Sequence, residues 1–460
     1  MLRPFMPHQQ SAFDWAQSRD TGALFMEMRL GKTSVAIRWA MDKVGRETRA
    51  RILVVAPSTT LYGWHDELQL EGIHATDIVS MVGMTGPQKV NAVQQPRLAS
   101  RPTWFLLNYE SVWRYAALWQ HPWDAIILDE STRIKNPGSK TTKALLNRYV
   151  ADYRMILTGS PNPEGLENFF TQMCFVRGGS FMGFRNFWGW RDRWFLQIGY
   201  EWHPKRGARE AIKQAVTEDA FSMTRKQADI GSVLLRETRT VPMNPAQRKL
   251  WREIRKEFKF TSPVTGDETE TKYAGARQVW LERIAGGFSP DKHLLSDAKA
   301  KELASLLEDE LEGEPLVVWF RFNTEIAFVA QFLTSRGYTV TRLTGATSID
   351  DRRARLKKFQ TGKAQVILVQ EALGQYGLNL SVSDTEVYYS NAWSYEMRTQ
   401  SQDRIIHPSK RHPLLAIDLV TEGTTDEDVV ATLADKRVDA NSFTSTLLKR
   451  VMERMHGSVA

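Results

Sequence analysis

The chain has 460 residues, which is too long for one ordinary core and indicates two or three domains. Its formal charge of +8 suits a polyanionic partner. A single cysteine, Cys174, excludes an internal disulfide. No run of about twenty apolar residues predicts a membrane span, and the N-terminus lacks the apolar core of a secretory signal. We therefore expect a cytoplasmic protein with no membrane partner.

Four short apolar strands are predicted in the first third of the chain. They cover 51–57, 104–108, 125–130 and 154–159. Their apolar runs show little alternation, which is typical of strands buried on both faces, and helical stretches separate them. Strands that alternate with helices predict a parallel sheet with crossover helices. We expect this part, residues 1–165, to form one α/β lobe.

The region 166–295 has a different pattern, which we interpret as helical insertions on the lobes together with the linker. Helical stretches rich in Lys, Arg and Glu occupy its second half, and 261–269 is predicted as an exposed loop. A segment near its start combines basic and aromatic residues: Arg185, Trp188, Trp190, Arg191, Arg193 and Trp194. Such a cluster either stacks on nucleic acid or packs an inserted helix.

A second series of strands follows the same pattern. Its members are 316–320, 340–343, 366–369, 386–389 and 415–419. They predict a second α/β lobe over 296–436, and apolar residues at helical spacing predict a packing helix over 437–460. The expected fold class is therefore α/β, with two parallel-sheet lobes and helical insertions between and on them.

The strongest local signal for chemistry is Gly31-Lys32-Thr33 before a helical pattern. This string is the working end of a phosphate-binding loop, in which backbone N–H groups surround the phosphates. Lys32 would reach the β and γ phosphates, and the hydroxyl of Thr33 would hold Mg²⁺. The full motif has a glycine where Met26 stands, so the strict pattern is not met.

The predicted strand 125–130 ends in two carboxylates, Asp129 and Glu130. At the end of a strand beside a phosphate-binding loop, Asp129 can bind Mg²⁺ through water and Glu130 can polarise the attacking water. A strand that runs into an acidic helix cap would give the same residues. The upstream position of the loop favours the catalytic interpretation.

These elements belong to a longer ordered series of motifs, through which the chain resembles the Swi/Snf family of superfamily-two helicase-like ATPases. In the first half the series comprises Pro7-His8-Gln9 with Trp15, 54–58 with Trp64, 108–110, 129–137 and 157–161. In the second half it comprises 317–322, 342–347, 374–380 and 400–404. The resemblance covers residues 2–436, and it implies two RecA-like lobes and a DNA-stimulated ATPase.

Three places depart from the family pattern. Arg29 stands in the loop where glycine is usual, and Ser131-Thr132 follow the two carboxylates where Ala-His is usual. His407 stands where the last motif has its second arginine, and a neutral imidazole lacks the fixed charge and the fork of a guanidinium. An arginine finger contributes about 10³–10⁵ in rate. Either Arg404 or a neighbouring cation serves in its place, or turnover is slow, and we favour Arg404.

The resemblance implies that ATP and Mg²⁺ bind in a cleft between the lobes. The catalytic residues that it implies are Lys32, Asp129, Glu130, Gln400 and Arg404. The nucleotide-binding residues that it implies are Gln9, which would read adenine, with Arg29, Gly31, Lys32, Thr33 and Gly377. Thr33 and Asp129 would hold the metal. Gln400 and Arg404 would come from the second lobe.

Double-stranded or branched DNA is the partner that the resemblance implies. Phosphate contacts should dominate, so binding should tolerate sequence and be sensitive to salt. The motif positions expected to touch DNA are Ser58, Thr59, Asn108, Tyr109, Lys135, Arg321 and Gly345. The residues leave alternatives open, since Ser58 and Thr59 also suit a helix cap and Tyr109 suits a core. The sequence identifies no protein partner.

The predicted function is that of a DNA translocase that remodels DNA by branch migration, strand annealing or displacement of bound protein. Because the motifs occupy nearly all of this sequence, we expect no large chromatin-reading domain, which favours a compact motor of a bacterial or virus-infected cell. Three alternatives stay open: an RNA-directed helicase, a nucleotide-switched DNA-binding regulator with little turnover, and a restriction-complex subunit that works with a separate nuclease.

Overall fold

The computed structural model describes residues 3–437 except 59, 96–99, 160, 162–164, 200, 230–232, 258, 272, 376–377, 408–409 and 411. This chain forms two compact units, which divide between residues 230 and 231. The helix predicted over 437–460 lies outside the described residues except for position 437. Of the helices described, none is long and apolar enough to cross a membrane.

The first unit contains a seven-stranded sheet. Its strands begin with β1 (Thr21–Met26), β2 (Arg51–Ala56), β3 (Ile78–Ser80), β4 (Thr103–Asn108), β5 (Ala125–Asp129) and β6 (Tyr153–Thr158). A separate antiparallel hairpin, β7 (Phe195–Ile198) and β8 (Glu201–Pro204), precedes the last strand of the sheet, β9 (Ala220–Met223). The order is β3-β4-β2-β5-β6-β1-β9, with every pair parallel. The C-terminal ends of all seven strands therefore share one edge.

Nine labelled helices accompany this sheet within the described residues. They are α1 (Pro7–Gln17), α2 (Lys32–Val44), α3 (Leu61–Leu70), α4 (Gly86–Gln94), α5 (Ala117–Gln120), α6 (Lys140–Asn147), α7 (Phe169–Val176), α8 (Phe187–Trp194) and α9 (Ala208–Glu218). Short 3₁₀ turns cover Ala75–Asp77, Tyr109–Ser111, Ser131–Ile134 and Leu166–Asn168.

Apolar clusters lie on both faces of the first sheet. Along β2, Ile52 and Val54 belong to one cluster, whereas Leu53 and Val55 belong to the other. Successive side chains of a strand point to opposite faces, so a strand covered on both sides must be apolar at every position. This is why the strands of the sheet appear in the sequence as unbroken apolar runs.

The second unit contains a six-stranded sheet with its own core. Its strands are β10 (Leu234–Val241), then the antiparallel hairpin β11 (Lys259–Thr261) and β12 (Glu268–Glu270), then β13 (Leu316–Phe320), β14 (Val340–Leu343), β15 (Val366–Gln370), β16 (Thr385–Tyr388) and β17 (Leu414–Thr421). The sheet order is β10-β17-β16-β13-β15-β14, again with every pair parallel.

Helices of the second unit fall into two groups. A small apolar cluster joins α10 (Pro245–Glu257) and α11 (Ala274–Ala285) with the β11–β12 hairpin. The remaining helices are α12 (Ala298–Asp309), α13 (Asn323–Thr334), α14 (Ile349–Gln360), α15 (Tyr395–Gln402) and a helical stretch over 425–437, with a 3₁₀ turn at Glu371–Gln375.

The predicted fold class is confirmed: the chain forms two α/β lobes with parallel sheets. All nine predicted strands are present within two residues of their expected bounds, but the other eight labelled strands, β1, β3 and β7 to β12, were not predicted. Most β10 side chains are exposed, and this strand forms because its backbone pairs with β17 along eight residues. The segment 166–295 is divided between the two units, and our domain bounds stay a prediction.

Candidate active site

The loop between β1 and α2 has a conformation that restricts its side chains. Arg29 and Gly31 both have positive φ, of 66° and 76°. A Cβ at Gly31 would lie 1.9 Å from the Gln9 side-chain nitrogen, so a larger residue would displace Gln9 and would also adopt the positive φ at a cost in strain. The left-handed backbone at Arg29 is the region that glycine adopts without strain. The positive φ at this position explains why glycine is usual there and why arginine adopts it only with strain.

Lys32 begins α2 and is held by the loop itself. Its buried ammonium donates to the carbonyl of Met26 at 2.7 Å and to that of Glu27 at 3.3 Å. Thr33 follows it in the first turn of this thirteen-residue helix and is half-buried. The first N–H groups of a helix have no intrahelical partner and favour an anion. The loop thus presents a positioned cation beside backbone donors.

The start of α1 is fixed to the loop by two adjacent residues. His8 contacts the carbonyl of Leu30 through Nε2 at 3.1 Å, and burial lowers the pKa of this imidazole. Gln9 accepts a hydrogen bond from the Met6 backbone through its side-chain oxygen, at 2.9 Å, while its amide end lies against Gly31. This places Gln9 at the loop, where the sequence predicted it, and its contact with adenine stays a prediction.

Asp129 lies at the end of β5 and is buried. The indole of Trp64 donates to its Oδ2 at 2.8 Å, and the Glu130 backbone donates to its Oδ1 at 3.0 Å. Burial raises the pKa of Asp129, and the Trp64 hydrogen bond and the charge of Lys32 oppose that shift. The charge of Lys32 thus favours the ionised form of Asp129, and the catalytic roles of both residues stay predictions. Trp64 was named only as part of a motif, and its bond to the carboxylate was missed.

Glu130 has a backbone conformation rare for its type. Its φ and ψ are 52° and 55°, in the left-handed region. Non-glycine residues adopt this region at a cost of roughly 1–3 kcal/mol, and such strain clusters at functional sites. Glu130 is half-buried, next to Asp129 at the C-terminal edge of the sheet. This conformation turns the chain directly after the strand.

Tyr109 makes a hydrogen bond to the backbone at the same strand end. Its buried hydroxyl donates to the backbone carbonyl of Asp129 at 2.8 Å, and burial raises its pKa well above the usual value. The sequence predicted Tyr109 as a DNA contact, with a core position as the alternative. The structure gives the core position: the side chain braces the carboxylate strand, and any effect of Tyr109 on DNA would act through Asp129.

A chain of buried side chains connects the residue after Glu130 with the loop that follows β6. Ser131 is fully buried and donates to the side-chain oxygen of Gln172 at 2.7 Å. The amide nitrogen of Gln172 donates to the carbonyls of Pro161, at 2.8 Å, and Asn168, at 2.7 Å. Sequence reasoning missed Gln172. The available signal was a glutamine within the otherwise apolar run of α7, since a buried amide needs hydrogen-bond partners.

The other predicted DNA-contact positions of the first unit differ in exposure. Ser58 is exposed, and Lys135 is half-exposed after a 3₁₀ turn. Asn108 donates to the Glu110 carboxylate at 2.8 Å and accepts from Ser111 at 2.6 Å. The prediction at residue 59 lies outside the described part of the chain. Ser58 is thus the most exposed of these positions, and their contacts with DNA stay predictions.

The basic and aromatic residues around α8 differ in how deeply they are buried. Trp190 is fully buried in the core of the first unit, so the packing interpretation holds for this ring. Trp188 is exposed, and the Arg191 guanidinium lies 3.8 Å from the centre of the Trp202 ring. This segment is therefore an inserted helix with one exposed aromatic edge.

In the second unit, the predicted residues of the last motif lie on and after α15. The Arg404 guanidinium donates through Nε to the carbonyl of Gly374 at 2.7 Å. Gln400 is buried, and its Oε1 has no hydrogen-bond partner among the described residues. Residue 377, predicted to contact nucleotide, lies outside the described part of the chain. The structure thus joins Arg404 to the 3₁₀ turn after β15.

A buried ion pair that sequence reasoning missed fixes α15 to the sheet. Arg398 donates to both carboxylate oxygens of Asp418, at 2.6 and 2.9 Å, and stacks on Tyr388 at 3.3 Å. Asn391 donates to the same carboxylate at 2.8 Å. The signal was Asp418 itself, which is a charged residue in an apolar strand and therefore needs a buried partner.

Two further buried carboxylates stand beside this pair. Glu386 accepts a hydrogen bond from the Trp319 indole at 2.8 Å, and Glu371 accepts one from the Ala392 backbone at 2.7 Å. Burial raises the pKa of each to about 7, against the favourable charge of Arg398. The helix that carries Gln400 thus rests on a buried layer of charged and titrating groups.

The predicted DNA positions of the second unit have partners within the protein. The guanidinium of Arg321 is 2.9 Å from the buried carboxylate of Glu282. The backbone N–H of Gly345 donates to the side chain of Gln370 at 2.9 Å, in an exposed turn after β14. Arg321 neutralises a buried acid, and Gly345 is the more accessible of the two.

The donor set at the first unit's strand ends fits Mg²⁺ bound together with a nucleotide. Among the described residues no cluster of three or more His, Cys, Asp or Glu forms a cage for a metal. Mg²⁺ is usually held by one or two protein oxygens, phosphates and water. Thr33 supplies a hydroxyl in the first turn of α2, and Asp129 supplies a buried carboxylate whose ionised form the charge of Lys32 favours, which is a set of this kind.

Comparison with protein families gives two matches, one for each half of the chain. A family described as SNF2-related domain matches residues 8–280. A family described as helicase conserved C-terminal domain matches residues 298–408. The first match alone covers more than half of the chain.

Similar proteins include large chromatin-associated ATPases. The SWI/SNF chromatin-remodeling complex subunit snf22 of Schizosaccharomyces pombe is 25% identical over 442 residues, which cover 89% of this chain and 26% of that protein. The ISWI chromatin-remodeling complex ATPase ISW1 of Saccharomyces cerevisiae is 23% identical over 460 residues, covering 94% and 40%. The ATP-dependent helicase brm of Drosophila melanogaster is 25% identical over 459 residues, covering 89% and 27%. This chain thus spans between a quarter and two fifths of these relatives.

Among solved structures, the Sulfolobus solfataricus SWI2/SNF2 ATPase core in complex with dsDNA is 18% identical. The similarity covers 97% of this chain and 95% of that one, with a TM-score of 0.44.

Proposed function

Because the chain belongs to the SNF2-related family, whose members are DNA-dependent ATP hydrolases, we propose that it is a translocase that moves along duplex DNA. The motion is coupled to ATP hydrolysis in the presence of Mg²⁺. Its consequence is remodelling of DNA, by displacement of bound protein, branch migration or annealing. The names of the relatives refer to chromatin remodelling, and this favours displacement of bound protein.

The observations that carry the proposal are the placement of Lys32 at the start of α2, held by the carbonyl of Met26, and of the buried Asp129 carboxylate at the end of β5, held by Trp64. Lys32 binds the β and γ phosphates, and the backbone at Gly31 follows their outline. Thr33 and Asp129 hold Mg²⁺, which when bound neutralises phosphate charge. Positioning and electrostatic stabilisation of this kind account for most of the catalysis of phosphoryl transfer.

Glu130 is proposed to orient the attacking water and to accept its proton. The left-handed backbone at Glu130 is the kind of strained conformation that clusters at functional sites. Gln400 and Arg404 of the second unit are proposed to be catalytic, and Arg404 to supply the positive charge that a neutral His407 would lack. Gln9 reads adenine from its place against Gly31. Each of these roles can be tested by its own variant.

DNA is proposed to be held through phosphate contacts. Ser58 and Lys135 make such contacts from the first unit, and the exposed turn at Gly345 does so from the second. Contacts of this kind are insensitive to sequence and weaken steeply with salt. We place the motor in the cytoplasm of a bacterial or virus-infected cell as a prediction, although the relatives named above come from eukaryotes.

Movement can be tested directly by displacement of a third strand from a duplex. A labelled strand is bound as a triplex at the end of a long duplex, and its release is followed with ATP, with ADP and without nucleotide. The proposal expects release with ATP only, and none from Lys32→Ala. Lys43→Ala is the matched control, since Lys43 lies on the same helix and its ion pair with exposed Asp20 contributes little. ATP hydrolysis without release would contradict movement along duplex DNA.

A nucleotide-switched DNA-binding protein with little turnover is the second candidate. The observation that favours it is His407 in place of an arginine, together with the bond between Arg404 and the Gly374 carbonyl. On this account ATP changes DNA affinity, and turnover stays low with DNA present. DNA binding measured with ATP and with ADP, beside the turnover rate, separates the two candidates.

A further inference from the structure

A basic groove lies on the second unit, away from every motif discussed above. It has a volume of about 850 Å³ and is open to solvent. One wall is the outer face of α10, and the other is the turn after β17. Its lining residues are Met243, Arg248, Trp251, Arg252, Arg255, Lys256, Glu422 and Gly423.

The sequence of α10 produces this wall through helical periodicity. Leu250, Trp251 and Ile254 are buried in the small core shared with α11. Arg248, Arg252 and Lys256 recur every four residues and are exposed, so they lie on one face of the helix. An amphipathic helix needs a polar outer face, but it does not need that face to be almost wholly cationic.

The charges of this face are not neutralised within the protein. In the part of the chain that the structure describes, no carboxylate pairs with Arg252, Arg255 or Lys256. On the neighbouring strand β10, by contrast, Arg239 contacts three carboxylates, those of Glu237, Glu302 and Glu310. Where an arginine of this unit has a structural role, carboxylates thus neutralise its charge. The groove contains one acid, Glu422, against four basic residues.

The spacing of the cations matches a phosphate backbone. A helix rises 1.5 Å per residue, so residues 248 to 256 span about 12 Å. One DNA strand has a phosphate about every 3.4 Å along the helix axis, so this length contains three or four phosphates. Guanidinium groups bind phosphate oxygens in a bidentate manner. An acidic peptide would need apolar anchor pockets, and the Trp251 ring is buried in the core below.

We propose that this groove is a second binding site for the phosphate backbone of duplex DNA. The inference rests on the proposed function, because it takes the duplex as the ligand. Through this site the second unit binds DNA at residues other than the motif positions. It is sequence-tolerant, and it adds to the salt dependence of binding.

The test measures anisotropy of a labelled duplex of about 30 base pairs over a salt series, with the full chain. The variants are Arg252→Gln with Lys256→Gln, the single Arg252→Gln, and Glu422→Gln. Lys249→Gln is the matched control, because Lys249 is exposed on α10 but does not line the groove. Melting temperatures confirm that each variant is folded.

Each phosphate contact that is lost should lower the slope of log affinity against log salt by about 1, so the double variant should lose about 2. Its affinity should fall on the order of 10-fold at low salt. Glu422→Gln should bind more tightly, and Lys249→Gln should behave as wild type.

Two results would overturn the inference. If the wild type binds duplex DNA and the double variant matches Lys249→Gln, the groove does not contact DNA and the proposed function is untouched. If the double variant loses binding to a polyglutamate peptide but not to the duplex, the groove recognises acidic protein. If the wild type does not bind duplex DNA at all, the proposed function is refuted. Duplex DNA is then also excluded as the ligand of the groove.

Discussion

The two units place their buried charges differently. In the first unit, Lys32 and Asp129 lie at the N-terminus of a helix and the C-terminal end of a strand, and backbone carbonyls and the Trp64 indole orient them. In the second unit, the bidentate pair of Arg398 and Asp418 lies inside the unit. The first arrangement keeps charge available for a ligand, whereas the second uses charge to fix a helix.

This difference teaches where the effects of mutations should fall. Removal of one partner from a buried pair leaves an uncompensated charge and costs about 3–5 kcal/mol. A half-buried carboxylate beside solvent carries no such penalty when it is neutralised. Substitutions at the first unit's strand ends should therefore change turnover, and those under α15 should change stability.

Glu130→Gln should show the largest effect, a fall in ATP turnover of about 10²–10⁴-fold, because the amide cannot accept the proton of the attacking water. Its melting temperature should stay within a degree or two of wild type. Steady-state turnover with duplex DNA and a thermal melt measure both. Asp66→Asn is the control, as its side chain is 78% exposed. A large loss of stability in Glu130→Gln would contradict the contrast between the units.

Arg398→Met should destabilise the second unit by about 3–5 kcal/mol, since Asp418 would remain charged and buried. Chemical denaturation measures this loss. The double variant Arg398→Met with Asp418→Leu should recover a large part of it, because no lone charge then remains. Equal stability of the single and double variants would show that the pair does not act as a unit.

Gln172→Leu should reduce the stability of the first unit by about 1–3 kcal/mol, because Ser131 and the Pro161 carbonyl lose buried hydrogen bonds. It should also lower the DNA-stimulated kcat with little change in KM for ATP. Tyr149→Phe loses one buried bond, to the Val112 carbonyl, far along the chain from the carboxylate pair. This control should lose stability alone. Unchanged kcat in Gln172→Leu would limit the residue to a structural role.

Glu386→Gln should produce the smallest effect, and one that depends on pH. The pKa of Glu386 is about 7 in the folded protein and lower in the unfolded chain, so its stabilising contribution is present at low pH and is lost as pH rises through 7. Glutamine does not titrate. The melting temperature of the variant relative to wild type should therefore rise by a few degrees between pH 5 and pH 8. A constant difference across this range would contradict the raised pKa.

The sequence predicted most of the fold because strands buried on both faces must be apolar throughout. β13 and β14 have the predicted bounds, and β2 and β5 end one residue earlier than expected. β10 has exposed charged and hydroxyl side chains, and its strand state depends on β17, which lies far away in sequence. Such pairing has no local signal.

The sequence names candidate site residues where phosphate chemistry demands a residue type, and their roles stay predictions. It gives no such candidates where packing selects the residue. Lys32, Thr33 and Asp129 follow from phosphate chemistry, and Gln9 is at the loop as expected. By contrast, the bonds of Trp64 and Gln172 to the site depend on how helices pack on the sheet. The motif alone could not show whether Tyr109 is buried or exposed, because tyrosine occurs both in cores and at surfaces.

The most direct test of the central claim is ATP turnover of the full chain at low salt with Mg²⁺. The reactions contain no nucleic acid, single-stranded DNA, duplex DNA, a branched junction or RNA, with Lys32→Ala as the blank. The account predicts strong stimulation by duplex or branched DNA and none in Lys32→Ala. Tight binding of duplex DNA without turnover on any polymer would contradict it and would leave the nucleotide-switched regulator as the better description.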